Sequence, residues 1–286
     1  MLAKRIMTAA VALPVPVTVL VFGPSWVVAL FLLVTVGLCT FEAGSMLYPK
    51  VIEIVCPGAS KPESERSRQH WIVWLAVLVA VGMFITVSSD TLGAGRGIVI
   101  AGLMSCFLFG AFLASDNQTA FARLVVLLVA VTYGSFPWLS AWELYVLGQG
   151  PKFLFLLIVI VWSGDTGAYF GGKYWGRRKL APRMSPNKTQ EGAFVGIVAS
   201  MVGAFALNIV YGGGLGSIQT VLLAAFLGGS FGQMGDLVES TLKRFAGVKD
   251  SGFIFPGHGG ILDRVDGVMF AAPVVWFTLY LGTLIG

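Results

Sequence analysis

Charge is what this chain has least of. Of its 286 residues, 12% are Asp, Glu, Lys or Arg and 56% are hydrophobic, with a mean hydropathy of +0.84. Soluble domains carry roughly 25% charged residues. A deficit this deep, with repeated apolar runs near 20 residues long, argues against a soluble domain and for an integral membrane protein made of helices. Cysteine is scarce too. Cys39, Cys56 and Cys106 are odd in number and show no CxxC spacing, which argues against a disulfide framework or a zinc site. Internal repeats and low-complexity tracts are also lacking, so the inverted halves of many secondary transporters are not visible.

The apolar runs predict an all-α integral membrane fold of about nine transmembrane helices. The first, Ala9 to Phe22, follows Lys4 and Arg5 and holds Pro14 and Pro16. A basic flank before a short apolar core also describes a signal peptide. A second span begins after only Gly23-Pro24-Ser25, which favours a retained, kinked first span. Spans then run over about Trp26–Leu47, Trp71–Ser88, Gly97–Ala114, Leu124–Leu139, Phe153–Phe170, Ala193–Tyr211, Ile218–Gly235 and Gly267–Ile285. Pro49 to His70 reads as a solvated loop. Residues 1–150 form an N-terminal region of about five spans. Residues 151–286 form a C-terminal region with long loops at 171–192 and 236–266.

The positive-inside rule tests the count. With the N-terminus in the cytoplasm and the C-terminus outside, 17 of the 19 Lys and Arg residues fall on the inner side, leaving only Arg96 and Lys152 outside. The net charge of +5 therefore reads as topology and attraction to anionic lipid, with no nucleic-acid partner.

The charge that exists is concentrated. Asp236 to Asp266 holds five carboxylates, four Lys or Arg, and His258. A patch for a lipid surface would be purely basic. Acids beside bases, with the glycine-rich Pro256-Gly-His258-Gly259-Gly260, suit a divalent cation bridging phosphates while Lys and Arg neutralise the remaining oxygens. If the eighth span continues as a helix, Asp236, Glu239, Ser240 and Lys243 share one face. Asp263 and Asp266 stand three apart at the start of the last span. A helix N-terminus stabilised by acids accounts for them less well than a metal site does. Asp165, near the inner end of the sixth span, is an ionisable residue at membrane depth and so a candidate site residue. Glu42, near the end of the second span, supports a site role and a structural role equally.

These residues carry a resemblance. Ser240-x-x-Lys243-Arg244-x4-Lys249-Asp250-x5-Pro256-x-His258-Gly259-Gly260-x-x-Asp263-Arg264-x-Asp266 is similar to the signature of the phosphatidate cytidylyltransferase (CDP-diacylglycerol synthase) family, complete over 27 residues. Asp165-Thr-Gly-Ala-Tyr169-x-x-Gly172 and Lys179-Leu-x-Pro182-x-x-Ser185-Pro186-x-Lys188-Thr189-x-Glu191-Gly192 also resemble that family. The likeness covers about Trp162 to Gly267. The N-terminal five spans show no motif.

The resemblance implies a reaction: CTP and phosphatidic acid give CDP-diacylglycerol and pyrophosphate, with magnesium required and a second cation left open. It also implies a homodimer. A multi-pass protein of the bacterial inner membrane follows, with its site facing the cytoplasm. On this reading Asp236, Asp263 and Asp266 hold the metal. Ser240, Lys243, Arg244, Lys249, Asp250, His258 and Arg264 are catalytic. Asp165, Ser185, Lys188, Thr189, Glu191, Gly259 and Gly260 bind substrate. Two other readings compete: a cytidylyltransferase for another lipid phosphate, such as an ether lipid, and a transporter. Polar residues gathered at one face, away from mid-membrane, weigh against the transporter.

Overall fold

A computed structural model describes residues 14–57, 63–89, 101–102, 104–105, 108, 116–148, 150–254 and 259–285. In chain order the elements are α1 (Pro14–Phe22), α2 (Ser25–Val55), α3 (Glu63–Ser88), α4 (Asn117–Leu147) and α5 (Lys152–Trp175). They continue with β1 (Lys179–Ala181), β2 (Ser185–Thr189), α6 (Gln190–Val210), α7 (Ile218–Ala246) and α8 (Leu262–Ile285).

Among the described residues seven helices are long and apolar enough to cross a membrane: α2, α4 to α8, and the Trp71–Ser88 part of α3. They coincide with seven of the nine expected spans and have the make-up of a multi-pass membrane protein. The first expected span is described only as the nine-residue α1, and most of the fourth lies outside the described residues. One expectation is amended. The loop expected from Pro49 is helical as far as Val55, and α3 already begins at Glu63. Pro49 removes one helical hydrogen bond. The buried Tyr48 and Val51 on either side keep the turn packed. The fold is all-helical as expected, apart from one short antiparallel hairpin at residues 179–189.

The residues group into two compact units, each drawing on both ends of the sequence. The first takes in Trp26–Leu139 and Leu242–Asp263; the second takes in α1, Ser140–Thr241 and Arg264–Gly286. In the first unit, α2 meets α3 and α4 through small residues. Gly44 lies against Val73 and Ala130, and a side chain at Gly134 would collide with Thr40. Asp116 caps α4 by accepting the Thr119 N–H at 2.8 Å. Arg123, counted above as a topology signal, is fully buried with its guanidinium 5.6 Å from the Trp71 ring centroid.

In the second unit, α5 and α6 pack closely. A side chain at Gly167 would strike Ala199, and one at Gly171 would lie 2.6 Å from Val195 Cβ. Small residues permit such approach where lipid offers no hydrophobic drive between helices. Gly235 of α7 sits against Asp266 O and Phe270 of α8. At 29 residues α7 is about 44 Å long, well beyond a hydrocarbon core of about 30 Å. Its polar last turns, with Lys243 and Arg244 favouring the negative helix end, are therefore more than a span needs.

Candidate active site

The polar residues form two clusters, one in each unit. In the first unit the segment between α7 and α8 is organised by Asp263. Its Oδ1 accepts from Lys243 Nζ at 2.6 Å. Its Oδ2 accepts from Ser251 N, Ser251 Oγ and Gly260 N, each at 2.8 Å. The ion pair is well covered, with side chains 15% and 7% exposed. Gly259 adopts φ 81°, a left-handed conformation that glycine takes without steric cost.

Glu42 reaches the same segment from α2. Its Oε1 accepts from Ile261 N, and its Oε2 accepts from Leu262 N and Ser251 Oγ, all at 3.0 Å. The first turn of any helix leaves N–H groups without intrahelical partners. Ile261, preceding α8, has no side-chain oxygen to take them. Glu42 does so from 220 residues away. A hydroxyl has one hydrogen. Ser251, buried between Glu42 and Asp263, can therefore serve only one carboxylate at a time.

The second cluster joins the hairpin to α5, α7 and α8. Lys188 of β2 pairs with Asp236 of α7 at 2.5 Å, with side chains 26% and 39% exposed. Ser240 Oγ donates to Asp236 Oδ1 at 3.3 Å. Asp165 and Asp266 lie near enough for their charges to act on Asp236 and Lys188. Asp266 Oδ1 also accepts from Gly267 N at 2.8 Å. The charges of three carboxylates thus act on one ammonium.

The hairpin is held in place from both ends. Lys179 registers with Thr189 and Ala181 with Ser185. Thr189 caps α6 by accepting from Gly192 N at 3.2 Å. Glu191, expected to bind substrate, has both oxygens on backbone N–H groups: Arg177 at 3.0 Å and Arg178 at 3.1 and 3.3 Å. Here these two residues shape the loop. Arg244, Lys249, Asp250 and Arg264 are exposed. Glu239 is buried. His258 and Pro256 lie outside the described residues.

A model of the cytidylyltransferase family matches residues 3–281. The chain belongs to that family. It is 51% identical over 132 residues to a phosphatidate cytidylyltransferase of Bacillus subtilis, covering 46% of this chain and 49% of that protein. It is 40% identical over 172 residues to a phosphatidate cytidylyltransferase of Staphylococcus epidermidis, covering 60% of this chain and 65% of that one. The matched regions span about half to two thirds of these relatives' length.

For this family member the fit of a divalent cation can be tested on the donors present. Among the described residues no three acidic, imidazole or thiol groups gather around one point. Magnesium does not need that, since it typically uses one or two carboxylates together with waters and phosphate oxygens. Asp263 suits such a role. Among the described residues three hydrogen bonds orient Oδ2 and one reaches Oδ1, and a carboxylate oxygen can accept more than one. Asp236 and Asp266 suit it through the excess of negative charge around Lys188. The donors present therefore fit the group. Ser251 was not singled out by sequence, where it is one small residue beside Asp250. Glu42 did leave a signal: it is the only charged residue between Trp26 and Leu47.

Proposed function

We propose that this chain is a membrane nucleotidyltransferase that transfers the cytidylyl group of CTP to phosphatidic acid, releasing pyrophosphate and forming CDP-diacylglycerol for phospholipid synthesis. An oxygen of the lipid phosphate attacks the α-phosphorus of CTP. A new P–O bond forms there, and the bond to the β-phosphate oxygen breaks. No covalent intermediate with the protein is needed, so Ser240 serves as a hydrogen-bonding group.

The observation that carries this reading is the charge pattern of the family signature. Within that signature, from the polar end of α7 to the first turn of α8, fall one covered acid–base pair, Lys243–Asp263, and the exposed cations Arg244, Lys249 and Arg264. Both substrates are anionic, and one is a lipid. Lys243, fixed by Asp263, and the exposed Arg244, Lys249 and Arg264 would neutralise phosphate oxygens. Lys188 would do so from the hairpin. Asp250 and His258, with Gly259 and Gly260, would line the nucleotide side, and Asp165 and Ser185 would meet substrate polar groups. Candidate magnesium ligands are Asp263 in one unit and Asp236 with Asp266 in the other. A bound cation would neutralise charge on the triphosphate. Catalysis would then rest on positioning and charge stabilisation. The site would face the cytoplasm of a bacterial cell, where CTP is, and the protein would act as a homodimer.

The test supplies purified protein with labelled CTP, magnesium and phosphatidic acid, with and without EDTA. The expected result is CDP-lipid and pyrophosphate in equal amounts, abolished by the chelator. No product with phosphatidic acid or any other lipid phosphate would sink the enzyme reading. Product only with an ether lipid phosphate would move the substrate assignment.

A further inference from the structure

We infer that Glu42 is a positioning residue for the reaction, acting through Ser251 and the start of α8 to set Asp263 and, with it, Lys243. The inference rests on the cytidylyl-transfer reading for its kinetic consequence and on geometry alone for its structural one. It gives the N-terminal spans, which show no motif, a part in ordering the C-terminal signature.

Three features make the seat of this carboxylate a built one. First, three donors converge on it: Ser251 Oγ, Ile261 N and Leu262 N, each at 3.0 Å. Second, Glu42 is 3% exposed, so water cannot replace those partners cheaply. Third, Gly252 and Gly260 flank it, and a side-chain carbon at either would collide with its carboxylate oxygens. The contacts are also directed. Every hydrogen bond described for Glu42 goes to Ser251 or to the two residues just ahead of Asp263. Ser251 in turn gives Asp263 its N–H and shares its hydroxyl with it. The path from Glu42 to Lys243 is therefore two side chains long, Ser251 and Asp263.

The isosteric change Glu42→Gln is a sharp probe. The amide keeps one acceptor oxygen and gains an NH2 group. If the oxygen stays with Leu262 N–H and Ser251, the NH2 faces Ile261 N–H, donor against donor. The volume is unchanged, so the helix packing is spared while the seat is spoiled.

Glu42→Gln and Ser251→Ala would be compared with wild type as full-length protein in lipid nanodiscs. With no substrate present, amide hydrogen exchange over 250–254 and 259–263 should rise in both variants, while exchange in α6 stays as in wild type. In turnover assays kcat should fall about 10- to 100-fold, the range for loss of a supporting contact that shifts a reacting group by about 1 Å. KM for CTP and for phosphatidic acid should stay near wild type, because no substrate contact is removed. Unchanged exchange in that segment overturns the inference. So does exchange that rises equally in α6, which would mean a general loss of packing. Raised exchange with unchanged kcat overturns the kinetic half. If Glu42→Gln does not fold, Ser251→Ala, which removes one oxygen, decides by the same two readouts. If wild type makes no CDP-lipid, the functional reading fails and the exchange result alone decides for or against Glu42.

Discussion

Two lysine–aspartate pairs, one in each unit, have nearly the same length and very different surroundings. Lys243–Asp263 is covered, and the aspartate also accepts three hydrogen bonds from Ser251 and Gly260. Lys188–Asp236 is more open, and two further aspartates act on it. The first is a fastened arrangement in which one carboxylate oxygen is held by three local hydrogen bonds. The second has acid in excess, which favours a cation more than it fixes a loop. Distance alone would rank the pairs as equals. Burial and the number of other partners separate them.

The largest effect expected from breaking this contrast is at the fastened pair. Asp263→Ala leaves Lys243 covered without its carboxylate and removes the acceptor for Ser251 N and Gly260 N. Breaking a buried pair from one side costs about 3–5 kcal/mol. Denaturation in detergent should show a loss of that order, and CDP-lipid formation should be abolished. A variant that kept near-normal turnover would remove Asp263 from the proposed metal ligands. Next comes Gly260→Ala. Its added carbon would occupy the space of Glu42 Oε2 and Ser251 Oγ. Overpacking of this kind costs about 1–3 kcal/mol. The loss should shrink when Ser251 is also changed to Ala, because one of the two obstructing oxygens is then gone.

Much of this contrast was legible in the sequence, for identifiable reasons. Period and apolar length revealed seven of the spans, because a helix in lipid must be long and uncharged to exist. The 236–266 signature was visible because charge is conspicuous in an apolar chain. The sequence does not show that Asp236 and Asp263 lie in separate contact units. That depends on which neighbours each unit recruits from distant parts of the chain, such as Glu42 from α2. The hairpin at 179–189 was also hidden. Strands of three and five residues leave too short a pattern to read. Glu191 and Thr189 are expected to bind substrate because they are polar in a motif, and both also hold the loop and the start of α6. Their hydrogen bonds show that a motif can hold the residues that shape a loop as well as those that meet a ligand.

Thr189→Ala removes the cap of α6, for which loss of about 1 kcal/mol is typical. Because Thr189 also ends β2, the hairpin should loosen, and Lys188 with it. Thermal denaturation should show the small loss. KM for CTP should rise more than kcat falls if the hairpin binds the nucleotide. A fall in kcat with KM unchanged would instead remove Lys188 from nucleotide binding.

Lys188→Met should change stability least. A partly exposed pair contributes about 0–1 kcal/mol, since water and salt compensate both charges. Met keeps the apolar stem and deletes only the ammonium. Unfolding in detergent should therefore stay within about 1 kcal/mol of wild type. If the ammonium serves a phosphate in the working enzyme, its removal should raise KM for CTP about tenfold, the equivalent of one hydrogen bond to a charged group. The two measurements move in opposite directions under the two readings of this pair. A large loss of stability with KM unchanged would make Lys188–Asp236 a fastener like Lys243–Asp263, and the distinction between the clusters would collapse. A raised KM with stability intact would mean that the open pair is kept for what it binds, and that excess acid beside one partly exposed cation is the mark of the ligand side.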